Sequence, residues 1–376
     1  MSSHSLHSSF SLRVAYSVHF TRGIFKAENV FFKNWWASLP YPPQVAVVLD
    51  RGVALAWPQL VADIQSTLTD LGYAQVPILQ IQGGELCKSD PKIREELLQG
   101  FLKQKLCRHS LVMAIGGGAL LDTVGYATAI FHRGLRHVRM PTTVLSQNDS
   151  GVGVKNGVNA FGKKNILGTF SAPEAVLCDF NFLDSLSPED RSSGYAEAIK
   201  VALLKDADFF DWIQKHSNEL NSGQPCDLET LIMRCASLHM QHIAQGGDPF
   251  EKGSSRPLDF GHWSAHRLED LSHYQLTHGQ AVALGLCCDI HYAKHMGWIS
   301  QELAANIVQT IARVGLPTTH PLFRQTEQIL KGLEDFREHL GGQLTITCLR
   351  GIAEVFDVHE IQTEKLLKAF DDMVKD

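Results

Sequence analysis

Leu111-Val112-Met113-Ala114-Ile115-Gly116-Gly117-Gly118-Ala119-Leu120-Leu121-Asp122 is the stretch on which the fold turns. Five consecutive apolar residues predict a strand buried on both faces, and the helical spacing of Ala119 to Ile130 predicts a helix directly after it. Three glycines at a strand-to-helix turn let backbone N–H groups approach a phosphate at the positive end of the helix. The pattern is neither G-x-G-x-x-G nor a Walker A loop, and a turn in which glycine only relieves crowding is the alternative.

Working outward, Val45–Leu49 ending in Asp50, a helix near Pro58–Leu71, Val76–Ile81 and a helix near Pro91–Leu106 repeat the alternation. Strands separated by helices of this length predict βαβ units and a parallel sheet, whose carboxyl-end loops line the ligand crevice. Candidate cofactor contacts at those ends are Asp50, Gly83-Gly84-Glu85 with Lys88, Gly116, Gly117, Gly118, Asp122, and Thr142-Thr143 after the strand-like His137–Met140. Upstream, Phe10, Leu12, Val14, Tyr16, Val18 and Phe20 alternate with Ser, Arg, Ala and His, which predicts the first strand.

Beyond Leu183 helical patterns dominate until Leu344–Leu349, with one helix expected over Pro188–Gln214 and a loop over Gln245–Pro257. The expectation is an α/β domain over 1–183 and an all-α domain over 184–376. At 376 residues two domains are the natural division, because single cores stop growing near ~250–300 residues.

A net charge of -6 removes the electrostatic footprint of sequence-independent nucleic-acid binding, and no apolar run reaches the ~18 residues of a membrane span. Eight scattered cysteines without a C-x-x-C pair indicate neither a disulfide framework nor a thiolate zinc site, and a cytoplasmic setting is expected. Met1–Ser9 is rich in Ser and His but lacks the apolar core of a secretory signal.

Two clusters suggest chemistry. Lys155, Asn156, Asn159, Lys163, Lys164 and Asn165 gather ammonium and amide groups suited to a phosphate monoester, or else form a solvated face. In the helical half Glu197 and Lys200 share a face at i,i+3, His262 and His266 share one at i,i+4, and His278 follows. Two or three imidazoles plus a carboxylate make a ligand set for a catalytic divalent metal with an open position. Spacing alone selects His262 and His266 as the first pair, completed by His278 or Glu197.

These residues resemble the 3-dehydroquinate synthase family of sugar-phosphate cyclases. The motifs run in order: G-G-E-x-x-K at Gly83–Lys88, G-G-G-x-x-x-D at Gly116–Asp122, R-G at Arg133, and P-T-T at Pro141–Thr143. D-S-x-V-G-x-K at Asp149–Lys155, G-V-N at Gly157–Asn159 and G-K-K-N at Gly162–Asn165 follow. A-E-x-x-K at Ala196–Lys200, F-G-H-x-x-x-H at Phe260–His266 and H-G-x-A-V-A-x-G at His278–Gly285 complete the series. The resemblance implies a nucleotide-binding domain packed on a helical domain, with NAD and a zinc or cobalt ion in the cleft. By position it implies Glu197, His262 and His278 as metal ligands and His266 as a substrate-phosphate contact. It places Lys155, Lys164 and Asn165 on the substrate and cofactor side, and Asp149 and Lys200 near the reacting hydroxyls. Arg133 is implied to reach the phosphate of a neighbouring subunit, hence a homodimer.

The family chemistry moves a hydride from a ring alcohol to NAD, eliminates phosphate beside the resulting ketone, returns the hydride and closes a carbocycle by an aldol step. In dehydroquinate synthases a Lys and an Arg grip the substrate carboxylate, and the ungapped count from F-G-H puts Gln241 and Ser255 there. The usual Asn is Asp259, and H-G-E reads His278-Gly279-Gln280. Missing both cations favours a heptulose 7-phosphate over the carboxylated heptulosonate phosphate, as in valiolone synthases, which the segment Phe336–Gly342 also resembles; the alternative is that Arg256, one residue after Ser255, substitutes for the missing Arg through a shifted loop. The alternatives are a polyol dehydrogenase of the iron-containing alcohol dehydrogenase group and a nucleotide-binding scaffold without catalysis.

Overall fold

The computed structural model describes residues 5–39, 44–246, 248, 250, 252–253 and 255–374. Residues 1–4 of the N-terminal stretch, and positions 247, 249, 251 and 254 of the loop expected at Gln245–Pro257, lie outside the described residues.

Strands β1 (Ser17–Thr21), β2 (Val45–Asp50), β3 (Ile78–Ile81), β4 (Leu111–Gly116), β5 (Arg136–Pro141) and β8 (Ala175–Asp179) form one parallel sheet. Its order is β1-β8-β5-β4-β2-β3. Between β5 and β8 the chain makes an antiparallel hairpin of β6 (Lys155–Ala160) and β7 (Lys163–Phe170). The apolar runs are continuous because both sheet faces are covered. Val45, Val47, Leu49, Leu111, Met113 and Ile115 pack on one side, and Ala46, Val48, Val112 and Ala114 on the other. Helix α1 (Glu85–Ser89) follows β3, and α2 (Gly118–Ile130) follows the triple glycine.

The second half packs helices around a separate apolar cluster. Those that matter for the site are α3 (Pro188–Lys205), α4 (Pro225–Gln245), α5 (His262–Leu271) and α6 (His278–Met296). A small antiparallel pair, β9 (Ile346–Gly351) and β10 (Glu354–Val358), closes against them. Helix α3 starts where Ser187 accepts from the Asp190 N–H, with Pro188 in the first turn. No helix among the described residues is long and apolar enough to cross a membrane.

Two expectations need correction. The first strand is Ser17–Thr21 rather than Phe10–Phe20, and Phe10 and Leu12 are 91% and 81% exposed. Its neighbour β8 has only five residues, so pairing stops at Ser17↔Ala175 and the alternation upstream has no ladder to join. The helix expected over Pro188–Gln214 breaks at Asp206, whose side chain caps the next helix, Ala207–Lys215, by accepting from Phe209 N–H. The cation-rich segment from Lys155, for which the sequence suggested no element, forms the β6–β7 hairpin.

Candidate functional site

Among the described residues, Glu197, His262 and His278 form a group whose ligand atoms all lie within 4.8 Å of one another. Glu197 projects from the middle of α3, His262 opens α5 and His278 opens α6. Both imidazole Nε2 atoms lie 3.5 Å from Glu197 Oε1. Ligands held at ~2.0–2.1 Å around a tetrahedral zinc lie roughly 3.4 Å apart, so the spacing suits one ion. Each ring is oriented from behind. His262 Nδ1 sits 3.1 Å from the Phe260 carbonyl, which only accepts, and His278 Nδ1 sits 3.3 Å from Glu269 Oε1. That leaves the two Nε2 atoms facing Glu197, the atoms a shared ion would take.

Glycine backbone contacts bring the three together. Helix α6 lies so close to α3 that a Cβ on Gly279 would fall 1.9 Å from the Ser193 carbonyl oxygen, and so close to the turn before α5 that one on Gly285 would fall 2.0 Å from the Gly261 carbonyl oxygen. Gly279 N–H donates to Ser193 Oγ at 3.0 Å. Gly261 itself adopts φ +79, a left-handed turn that side chains resist, and this turn delivers His262 to the start of α5. Asp289 fixes it by accepting from Gly261 N–H at 3.0 Å and Trp263 Nε1 at 2.8 Å. Gln280, in place of the usual Glu, still completes a capping box with Thr277 at the start of α6.

Glu197 is fully buried, and neither carboxylate oxygen receives a hydrogen bond of normal geometry, although Oε2 is ion-paired with Lys200. Burial opposes its charge, but the Lys200 ammonium and the two imidazoles outweigh it and hold the carboxyl well below the usual range. Burial likewise opposes the charge on Lys200, while Glu197 and Asp149 push its pKa up, so it remains an ammonium. For Asp149, burial and the Glu197 charge are outweighed by His239 and Lys200, and its carboxyl is lowered. His239, on α4, places Nδ1 2.8 Å from Asp149 Oδ1. Under metal-free conditions burial opposes the charge on His278 as well, yet Glu269 and Glu197 push it up to about 10. His266 stands beside the group rather than within it, its ring 5.5 Å from His262 and 6.2 Å from His278. Burial and the neighbouring His262 push it down to about 3, so its imidazole is neutral.

The pairing drawn from spacing alone, His262 with His266, is therefore not the one the fold assembles. His278 from another helix replaces His266, because α6 approaches the N-terminal end of α5.

At the carboxyl ends of β2 to β5, a second set converges. Asp50 lies between two glycine turns: a Cβ on Gly83 would strike its carboxylate at 1.8 Å, and one on Gly116 would come within 3.1 Å of its Cβ. Thr142 N–H donates to the Gly116 carbonyl, and Thr143 Oγ1 lies 2.8 Å from Ser146 Oγ. Lys88, 8% exposed, donates to Asp122 Oδ2 at 2.7 Å. Glu85 accepts from Asn159 Nδ2 at 2.7 Å.

The β6–β7 hairpin spans from this crest to the helical half. Lys164 donates to Glu269 at 2.8 Å and lies 3.7 Å from Glu85; Lys155 is exposed on β6, and Asn165 holds φ +52 with its N–H on Asn159 Oδ1. Arg133 joins neither set. It is exposed at the far end of α2, thirteen residues or roughly 20 Å of helix from the glycine turn.

Four contributors escaped sequence reading. Glu269 and His239 sit unmarked in helical runs. Asp289 looks like one polar residue in an apolar helix. Arg139, in the mixed polar and apolar strand β5, is fully buried and donates to the carbonyls of Gly151, Gly153 and Lys155 and to Asn156 Oδ1 at 2.6–3.2 Å, shaping the chain after Asp149. A charge in the middle of a strand that ends at a ligand crest was the available signal.

Residues 78–193 match the family profile described as 3-dehydroquinate synthase N-terminal, and residues 194–335 the one described as 3-dehydroquinate synthase C-terminal. The chain is 31% identical over 338 residues to a 3-dehydroquinate synthase from Rhodopseudomonas palustris, covering 87% of this chain and 86% of that protein. It is similar to the structure of ValA, a 2-epi-5-epi-valiolone synthase from Streptomyces hygroscopicus subsp. jinggangensis with NAD+ and Zn2+ bound. The TM-score is 0.87 at 26% identity, over 98% of this chain and 99% of that one. It also shares the fold of 2-deoxy-scyllo-inosose synthase complexed with carbaglucose-6-phosphate, NAD+ and Co2+, with TM-score 0.80 at 22% identity over 95% and 96% of the two chains.

Proposed function

The chain belongs to the 3-dehydroquinate synthase family, and from that premise we propose that it is a sugar-phosphate cyclase for a heptulose 7-phosphate, using NAD and a divalent zinc or cobalt ion. The donor set fits such an ion: two imidazoles with correctly directed nitrogens and a buried carboxylate whose Oε1 faces both of them. Glu197, His262 and His278 hold it. When bound, the ion supplies Lewis acidity toward the hydroxyl being oxidised, and the dinucleotide supplies a hydride acceptor restored at the end of the cycle.

The chain's own residues divide the remaining work. Gly116, Gly117 and Gly118 at the start of α2 present N–H groups to the pyrophosphate, and Asp50 accepts a ribose hydroxyl. Glu85, Lys88, Asp122, Thr142 and Thr143 complete that wall. Asp149 accepts from a reacting hydroxyl and Lys200 donates to one, as their charge states require. Lys155, Lys164, Asn165 and the neutral His266 bind the phosphate, and Arg133 contributes from a second subunit of a homodimer.

The substrate reading is carried by Ser255, whose hydroxyl donates to Asp357 Oδ2 at 2.6 Å. Where a carboxylate-binding cation is expected, this chain has a hydroxyl engaged by an acid. Gln241 offers only an amide, donating to Ser237 Oγ at 3.4 Å. Taking a substrate carboxylate out of water without a countercharge costs several kcal/mol. The test is phosphate release from a heptulose 7-phosphate against release from the carboxylated seven-carbon phosphate. At least tenfold higher kcat/KM for the former is expected, and preference for the carboxylated compound contradicts the reading.

A further inference from the structure

One oxygen of Glu269 is shared by two groups of different purpose. Oε1 lies 3.3 Å from His278 Nδ1 and 2.8 Å from Lys164 Nζ, while Oε2 is buried without a hydrogen bond. The carboxylate is 3% exposed on α5, Lys164 comes from β7 of the sheet half, and the Lys164 ammonium also lies 5.2 Å from the Tyr274 ring centroid. Lys163 on the same strand reaches Glu338 at 2.7 Å, a second clasp between the halves.

We propose that Glu269 is a positioning residue that couples the metal ligand His278 to the anion-binding Lys164, so that anion and metal strengthen each other's binding through one carboxylate. The proposal rests on the metal reading above. The physical argument concerns a shared acceptor. With no anion present, Lys164 and His278 compete for Oε1. An anion that draws the Lys164 ammonium toward itself returns that acceptor capacity to the imidazole N–H. A carboxylate accepting from Nδ1–H makes Nε2 a better donor to a metal, and outer partners of this kind change metal affinity by about 10–100-fold. Linkage then requires the metal to tighten anion binding by the same factor.

The experiment measures Co2+ affinity of the full chain by competition with a chromophoric chelator, with and without inorganic phosphate, and records the cobalt visible spectrum. In the wild type, phosphate is expected to tighten cobalt binding. In Glu269→Gln, which keeps the side-chain shape and removes the charge, cobalt binding is expected to weaken about tenfold or more and the phosphate effect to shrink. In Lys164→Met, where no ammonium competes for Oε1, cobalt alone is expected to bind about as tightly as it does to the wild type with phosphate present, with the phosphate effect lost. Wild-type cobalt affinity in Glu269→Gln, or a full phosphate effect in either variant, overturns the coupling while leaving the metal reading intact. Failure of the wild type to bind cobalt at all overturns both.

Discussion

The crest of the sheet and the pocket of the helical half assemble ligand groups in contrasting ways. At the crest the groups are backbone N–H atoms and side chains at the ends of neighbouring strands, with Asp50 and Thr143 packed on the glycine turns after β3 and β4. In the pocket, three side chains from three helices converge, with Glu269 and the Phe260 carbonyl behind them. The first kind of site is specified locally and tolerates loss of one side chain. The second depends on distant segments meeting within a few ångströms, so it fails when either the charge or the helix packing changes.

The sharpest way to break this contrast is at Glu197. Glu197→Ala leaves two imidazoles without a carboxylate and is expected to lose bound metal and about 10³-fold or more of turnover, read by elemental analysis and phosphate release. Near-normal activity with a full metal complement rejects the ligand assignment. Gly279→Ala addresses packing instead. Its methyl would meet the Ser193 backbone, which has no rotamer to yield, so a loss of about 3 kcal/mol in denaturant unfolding is expected. Gly118→Ala at the crest meets only the Ser150 side chain, which can turn aside, and is expected to cost stability much less.

Asp289 gives a pH-dependent probe of the turn that carries His262. Burial, which outweighs the donors Trp263 Nε1 and Gly261 N–H, pushes its carboxyl up to about 7 from 3.8. The unfolded chain ionises near the lower value. Stability from the neutral form is thus fully present below about pH 4 and declines as pH rises through 7. The decline is at most roughly 4 kcal/mol, at about 1.4 kcal/mol per unit. The difference in unfolding free energy between wild type and Asp289→Asn is expected to slope with pH across that window; a flat difference removes the argument. Smallest is His266→Ala, expected to keep the metal and weaken inorganic phosphate binding about tenfold, or about 1.4 kcal/mol. Loss of metal in that variant would restore the pairing of His262 with His266.

The same contrast explains what was legible in the sequence. Val45–Leu49 and Leu111–Ile115 are contiguous apolar runs next to their turns, and the structure extends each by one residue only. The alternation at Phe10–Val14 misled because a strand needs a neighbour of matching length, and β8 is too short. The β6–β7 hairpin was hidden because its outward positions are polar or exposed, leaving little apolar periodicity to read. In the pocket, the residue types were visible but their grouping was not. The i,i+4 rule places His262 and His266 on one face, yet the ligand group is decided by two glycine contacts, Gly279 on Ser193 and Gly285 on Gly261, that spacing within one helix cannot express. Glu269, Asp289 and Arg139 escaped for a related reason: their importance lies in partners remote in sequence.

The central claim is that a carboxylate–imidazole metal centre and a dinucleotide cradle act together on one sugar phosphate. Its most direct test follows inorganic phosphate and NADH absorbance together while the purified protein, loaded with NAD and zinc or cobalt, turns over a heptulose 7-phosphate. The account predicts phosphate release over many turnovers with no net accumulation of NADH, abolished by a metal chelator. NADH accumulating in step with substrate consumption, or phosphate release indifferent to the chelator, would contradict it.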